Sequence, residues 1–212
     1  QVNGQPDFEL RAQRGGFDEQ LYARVAAHPQ VAIASPVVEI ETHALDAQGQ
    51  RVSLRLIGLD ALVAAPLSPA LMPRPDDKAE RLAIVDPNSL FLNPAAQRRL
   101  GNVTPLRLQS GALTVALQVR GTVSAEGPPL AVIDIAGAQA GFGWLGRISR
   151  IDVRLADGAE REQVLRELAL PSELRAASPD ESAQRVSNLS RAYRVNLTVL
   201  ALVALFPGAF LV

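Results

Sequence analysis

The chain has 212 residues, 48% apolar and 20% charged, which is a globular balance and not a disordered one. Its formal net charge of −1 excludes the basic footprint of a nucleic-acid binder or of a protein drawn to an acidic membrane surface. The absence of cysteine excludes a disulfide framework and thiolate-based zinc or redox chemistry, and 4% aromatic residues leave the core to Ala, Val, Leu and Ile.

"QVNGQPDFEL" is polar and carries no signal peptide, so residue 1 reads as a cut point or as the exit from something upstream. "DFELRAQ" (7–13) alternates and predicts a strand. In "GGFDEQLYARVAAHP", Phe17, Leu21 and Val25 recur on one helical face, and Pro29 stops the helix. "VAIASPVVEIETHAL" (31–45) and "RVSLRLIGLD" (51–60) read as a hairpin joined by the turn residues "DAQGQ". Residues 61–80 hold four prolines and no lasting period, so they read as irregular. "RLAIVD" (81–86) predicts a short buried strand. In "NPAAQRRLG", Asn93 is the expected N-cap, Pro94 the first helical residue and Gly101 the C-cap.

"TPLRLQSGALTVALQVRGTV" and "PLAVIDIA" are strand-like, with "SAEGPP" as the turn between them. "GAQAGFGWLG" reads as a glycine-rich loop whose Phe142 and Trp144 offer a contact point. Then the opening pattern returns: "RISRIDVRLA" as a strand, "DGAEREQVLRELAL" as a helix with Val164, Leu165 and Leu168 inward, and "SELRAASP" as a short strand. The expected fold class is therefore α+β. A subdomain built from two strand–helix–strand units, residues 1–60 and 126–178, carries an inserted β-rich subdomain, residues 61–125.

The last predicted element is a helix from 179. Ser178 is its N-cap, Pro179 its first residue, Glu181 closes a capping box, and Asp180 suits the helix N-terminal dipole. Val186, Leu189, Tyr193, Leu197 and Leu200 keep helical spacing, and from Val195 onward no charge remains. A helix apolar on every face must be buried in protein or in lipid. The run 195–212 approaches the roughly 20 apolar residues of a membrane span, so 179–212 reads as a stalk helix that enters a truncated transmembrane helix. Pro207, and Arg191 and Arg194 just before the run, do not overturn that reading.

Motifs for chemistry are missing. His28 ends a helix before a proline and His43 lies in a hairpin strand; neither has a metal-ligand partner at the required spacing, and both read as surface histidines. No nucleophile elbow or phosphate loop occurs, and the only lysine is Lys78 in the proline-rich stretch. The acidic pairs Asp76–Asp77 and Glu160–Glu162 read as solvated charge. No catalytic, cofactor-binding or metal residue is expected, no cofactor is implied, and what the Phe142–Trp144 loop would contact is left unknown.

Six pieces in order resemble the extracytoplasmic domain of FtsX-like ABC-transporter permeases, the group that includes the MacB-type proteins. They are "HPQVAIASPVVEIE" (28–41), "RLIGLD" (55–60), "LAIVDPNSLFLNPAAQRRLG" (82–101), "VRGTV" (119–123), "LAVIDIAGAQ" (130–139) and "RISRIDVRLADGAEREQVLREL" (147–168). "SNLSRAYRVNLTVLALVALF" (187–206) resembles re-entry into the second membrane helix. The resemblance implies a porter-like α+β part interrupted by a β-rich part, held outside a bacterial inner membrane between two membrane helices. It implies ATP hydrolysis on a separate ABC ATPase subunit, with an extracytoplasmic protein or a lipid or lipoprotein cargo as partner, and it allows a homodimer of the full-length transporter. Efflux, lipoprotein release and regulation of cell-wall or lipid enzymes remain open, and no functional residue of the family transfers to a position here. The competing expectation is a stand-alone lipid or lipoprotein carrier tethered by one C-terminal helix.

Overall fold

The computed structural model describes residues 4–12, 15–76 and 81–178. The expected stalk and membrane helix, 179–212, lies outside the described residues. The first elements are β1 (Phe8–Ala12), β2 (Phe17–Asp18), α1 (Gln20–Ala26), β3 (Val31–Leu45), β4 (Arg51–Leu59) and α2 (Ala61–Ala64). A 3-10 turn (Pro69–Leu71), β5 (Arg74–Pro75), a second 3-10 turn (Arg81–Val85), β6 (Ser89–Leu92) and α3 (Pro94–Leu100) follow. Then come β7 (Leu106–Ser110), β8 (Leu113–Thr122), β9 (Leu130–Asp134), α4 (Ile135–Phe142), β10 (Arg147–Ile148), β11 (Arg150–Leu155), α5 (Arg161–Leu168) and β12 (Leu174–Ala177).

Ten strands share one sheet, in the order β12–β1–β11–β3–β4–β9–β6–β8–β5, with β7 bonded to both β3 and β8. At one end β1 and β3 both run antiparallel to β11 and hence parallel to each other. The connection through α1 therefore crosses over β11. At the other end β3, β4, β9, β6, β8 and β7 return to β3, so they close a ring. The 15-residue β3 belongs to both parts. Val31–Val37 pair with β11, and Val37–Leu45 pair with β4.

Local chemistry sets these elements. In the β3–β4 turn the Asp46 carboxylate accepts the amides of Gln48 at 2.9 Å and Gln50 at 2.8 Å, while Gly49 supplies a φ of 75°. In α3 the Asn93 side chain accepts the Ala96 amide, and Gly101 ends the helix at φ 65°. Two apolar clusters form. The larger joins the helix-covered face (Phe8, Leu10, Val25, Val153, Val164) to the ring interior (Leu56, Leu92, Leu108, Ile133). The smaller lies on the outer face of β4, β6 and β9, with Ile57, Phe91 and Val132 meeting Ala64, Leu71, Met72 and Ala83 from residues 61–84. The proline-rich stretch is thus a strap that covers a second core.

Three expectations change. Arg81–Val85 form a 3-10 turn and not the strand expected over 81–86. Ala83 reaches the core while Leu82 is 70% and Val85 47% exposed, so alternate side chains share no face; a short apolar run does not fix its own period. Phe17 lies in β2 opposite Ile148 and not on the α1 face, because Gly15 and Gly16 take positive φ and the Asp18 carboxylate accepts the Gln20 amide, so the helix starts three residues later. The stretch 135–142 is the helix α4 and not a loop. Asp134 caps it through the Ala136 amide, and Gly143 ends it in the left-handed region. Two glycines let it pack closely: a Cβ on Gly137 of α4 would lie 2.4 Å from the Pro87 carbonyl oxygen, and one on Gly58 of β4 would lie 2.4 Å from the Ala138 Cβ.

Candidate functional site

The densest group of charges lies on the sheet face away from α1 and α5. Alternation along β1 turns Phe8 and Leu10 inward and Glu9 and Arg11 to the other face; along β11 it does the same for Ile151 and Val153 against Arg150 and Asp152. Arg11 Nε donates to Glu9 at 2.6 Å, and Arg150 Nε donates to Asp152 at 2.6 Å. Glu39 of β3 accepts from both arginines: Arg11 Nη1 lies at 3.0 Å, and Arg150 Nη1 is paired with its other oxygen. This face is partly covered, with the Arg11 and Glu39 side chains 31% and 21% exposed. Glu9, Arg150 and Asp152 are buried, Leu67 is buried in the strap, and Arg154 donates to the Pro66 carbonyl at 2.8 Å. Each arginine is neutralised by carboxylates, and the Ser35 hydroxyl, opposite Asp152, is buried without a hydrogen-bond partner. The arrangement holds strands together; it presents neither an activated nucleophile nor an open ligand position.

A second acidic pair sits where β4 and β9 end side by side in parallel, with Leu59 opposite Asp134. Asp60 caps α2 through the Leu62 amide, and Asp134 caps α4. Burial raises the pKa of Asp134, and the Asp60 charge adds to this against the opposing cap hydrogen bonds. A raised carboxyl contributes stability that is complete below its unfolded value of about 3.9 and is lost as pH rises through the folded value. Asn caps a helix as well as Asp does. Asp134→Asn is therefore expected to be at least as stable as the parent at pH 7, with the difference shrinking as pH falls through 4. Thermal melts at both pH values check this, and a variant that loses stability at pH 7 contradicts it. Asp86 moves the other way: the Ser89 hydroxyl donates to it at 2.6 Å and lowers its pKa.

The residues singled out in the sequence are scattered. His28 is largely covered and not a surface residue. Its Nε2 lies 3.0 Å from Glu167 of α5, and its Nδ1 faces the Gln30 amide at 3.2 Å. That hydrogen bond, after the one from Gln163, holds the Glu167 pKa low. The partner stands 139 residues along, out of reach of any spacing rule. His43 is exposed on β3. Phe142 is buried in the core and so offers no contact point, while Trp144 packs on Gly16 with the Arg147 guanidinium 5.4 Å from its ring. Glu160 precedes α5 and Glu162 lies in its first turn. Asp76 donates its amide to the Arg120 carbonyl, whereas Asp77, Lys78 and Glu181 fall outside the described residues. The Glu39 group went unread in the sequence. Its signal was there, as charges at alternate positions of two strands, but that pattern ordinarily marks a solvent face. Among the described residues no group of three or more His, Cys, Asp or Glu is placed to hold a metal, and no helix is long and apolar enough to cross a membrane.

No protein-family model matches the sequence. The uncharacterized ABC transporter permease protein Rv0987 of Mycobacterium tuberculosis is 26% identical over 227 aligned positions, which take in all of this chain and 25% of that protein. The chain thus spans about a quarter of the length of this relative. The periplasmic region of MacB from Actinobacillus actinomycetemcomitans superposes with a TM-score of 0.61 at 12% identity, over 88% of this chain and 94% of that one. The extracellular domain of the noncanonic ABC-type transporter YknZ from Gram-positive bacteria gives 0.59 at 11% identity, over 81% and 99%. The chain is therefore similar in sequence to an ABC-transporter permease, and it has the mixed α+β fold of the MacB and YknZ extracytoplasmic domains.

Proposed function

We propose that the chain is a non-catalytic extracytoplasmic domain of an FtsX-like ABC-transporter permease, standing outside a bacterial inner membrane. The observation that carries this reading is the permease match, which runs over the whole chain. The domain would consist of a porter-like part (1–60 and 126–178), an inserted β-rich part (61–125) and a stalk helix from 179 that runs into a membrane helix. ATP would be hydrolysed on a separate cytoplasmic subunit. The movement of the membrane helices would reach the domain through the stalk and drive export, lipoprotein release or activation of an extracytoplasmic partner. A rod of 28 residues at about 1.5 Å each spans roughly 42 Å, more than the hydrocarbon core of about 30 Å.

Two tests bear on this. Translation of the gene beyond residue 212 should give three or more further membrane spans, with an ATPase encoded nearby; a stop codon shortly after 212 favours the tethered carrier instead. In the full-length transporter, Leu189→Pro should break the stalk, since an interior proline costs about 3 kcal/mol or more. ATPase activity is expected to survive while transport or partner activation is lost. Transport at the normal rate makes the stalk a mere tether.

A further inference from the structure

We infer that one end of the ring is a docking surface for an acidic peptide segment of another protein, built from Arg51, Arg98, Arg99 and Arg107. Strands β3, β6 and β8 end there, and β4, β7 and β9 begin there. Helix α3 lies at this end, because it follows β6 and leads into β7, and Arg98 and Arg99 stand exposed in its last turn. Leu45, the last residue of β3, faces Arg51 of β4. On the other side of β3 the pairs His43–Gln109 and Ala44–Leu108 bring Arg107 of β7 level with Leu45. Arg51 and Arg107 are thus two strand spacings apart, roughly 10 Å. Both are exposed on the outer face, since the alternate positions Leu54 and Leu56 of β4, and Leu106 and Leu108 of β7, fill the ring interior.

None of the four arginines is in an ion pair or a side-chain hydrogen bond with a described residue. Arg98 and Arg99 suit the C-terminal dipole of α3, but Arg51 and Arg107 lie on strands and have no such role. The stretch 87–125, which supplies three of the four, also holds Arg120 and contains no Asp, Glu or Lys, so the rest of this chain is net negative. Of the acids at this end, Asp46 is engaged by the amides of its own turn, and Glu126 is exposed. Among the described residues the exposed large apolar side chains lie at the opposite end: Leu62 follows β4, Leu82 and Val85 precede β6, Leu113 opens β8 and Leu145 follows α4. The arginine end therefore offers charge without an apolar anchor. Guanidinium forks grip carboxylates at two points, which suits an acidic segment that brings no hydrophobic side chain. An extended anionic surface, such as a membrane or a nucleic acid, would also face the net-negative remainder of the domain and be repelled by it. The surface stands on these charges alone; that its occupant belongs to the extracytoplasmic partner rests on the permease reading.

The test is the fluorescence anisotropy of a labelled oligoglutamate peptide titrated with the 212-residue chain in uncharged detergent. Binding should weaken steeply between about 0.01 M and 0.15 M salt, as the screening length falls from about 30 to 8 Å. At low salt Arg98→Gln/Arg99→Gln and Arg51→Gln/Arg107→Gln should each weaken it about five-fold or more, since one exposed ion pair is worth up to about five-fold. The side chains replaced are exposed and unpaired, so the fold should be untouched. The control Arg166→Gln/Arg175→Gln removes the same charge from exposed positions on α5 and β12 and should stay within about two-fold. Absence of binding at low salt, or equal weakening in the control, overturns the surface. Inorganic polyphosphate binding through the same four arginines more tightly than the peptide overturns the acidic-peptide occupant in favour of a phosphate polymer. A stop codon shortly after residue 212 would sink the permease reading and leave each of these binding results unchanged.

Discussion

Phe91→Ala is expected to destabilise the protein by about 3–5 kcal/mol, the usual cost of emptying a buried aromatic site. Phe91 is 1% exposed at the centre of the outer-face core, opposite Val132. Its neighbours there, Ala64, Ala83, Leu71 and Met72, come from the strap. A strap with little regular structure of its own cannot close over the gap as a packed strand would, so collapse should recover little of the loss. A chain of this length loses about 2–4 °C of melting temperature per kcal/mol, which gives a fall of roughly 6–20 °C. The loss should also be local. Limited proteolysis within residues 61–86 should accelerate in Phe91→Ala beyond what Leu10→Ala produces, since Leu10 belongs to the other core. A loss under about 1 kcal/mol, below the range for core truncations, would mean that the strap does not seal this face.

The strap shows which parts of the fold were legible in the sequence. Local signals carried far. The alternation of β3 and β4, the Asp46–Gly49 turn and the Asn93–Pro94–Gly101 caps all act within a few residues of themselves. The elements that escaped depend on distant partners. α4 contains two glycines and read as a loop, but Gly137 is required where the helix meets the Pro87 backbone, some fifty residues earlier in the chain. Residues 81–86 are apolar enough for a strand, yet β6 already has β8 and β9 on its two sides. The charged faces of β1 and β11 looked solvated because nothing in "FELR" or "RIDVR" announces the cover supplied by residues 61–67. The same limit governs the candidate sites: His28 meets Glu167, and Arg11 meets Glu39, across separations that only the fold creates.

Asn93→Asp is expected to be among the most damaging single-atom changes in the chain, although sequence logic alone predicts that it is neutral. Asp caps helices as well as Asn, and the oxygen that accepts the Ala96 amide at 2.9 Å would remain. But Asn93 is fully buried and does more than cap. The same Oδ1 accepts the Leu130 amide at 3.0 Å, while Nδ2 donates to the carbonyls of Ala125 at 3.2 Å and Pro128 at 3.0 Å. All four hydrogen-bonding positions of the amide are used, and they fix its orientation, since a flip would set donors against amides. The side chain thereby pins the 124–129 turn and the start of β9 to the end of β6. Aspartate would aim a carboxylate oxygen at two carbonyl oxygens. Staying charged there is costly; becoming neutral at pH 7, from a pKa of about 3.9, costs roughly 4 kcal/mol and restores only one of the two donors. Either route should cost at least about 4 kcal/mol at pH 7. The sign with pH follows: the variant's carboxyl has a raised folded-state pKa, so its stability is greatest in acid and falls as pH rises through that value. Denaturant unfolding at pH 7 and pH 4 should therefore show Asn93→Asp recovering part of its loss in acid, whereas Asn93→Ala, which forfeits all four bonds without a charge, should stay about equally impaired relative to the parent at both. An Asn93→Asp protein within about 1 kcal/mol of the parent at pH 7 would reduce Asn93 to an ordinary helix cap.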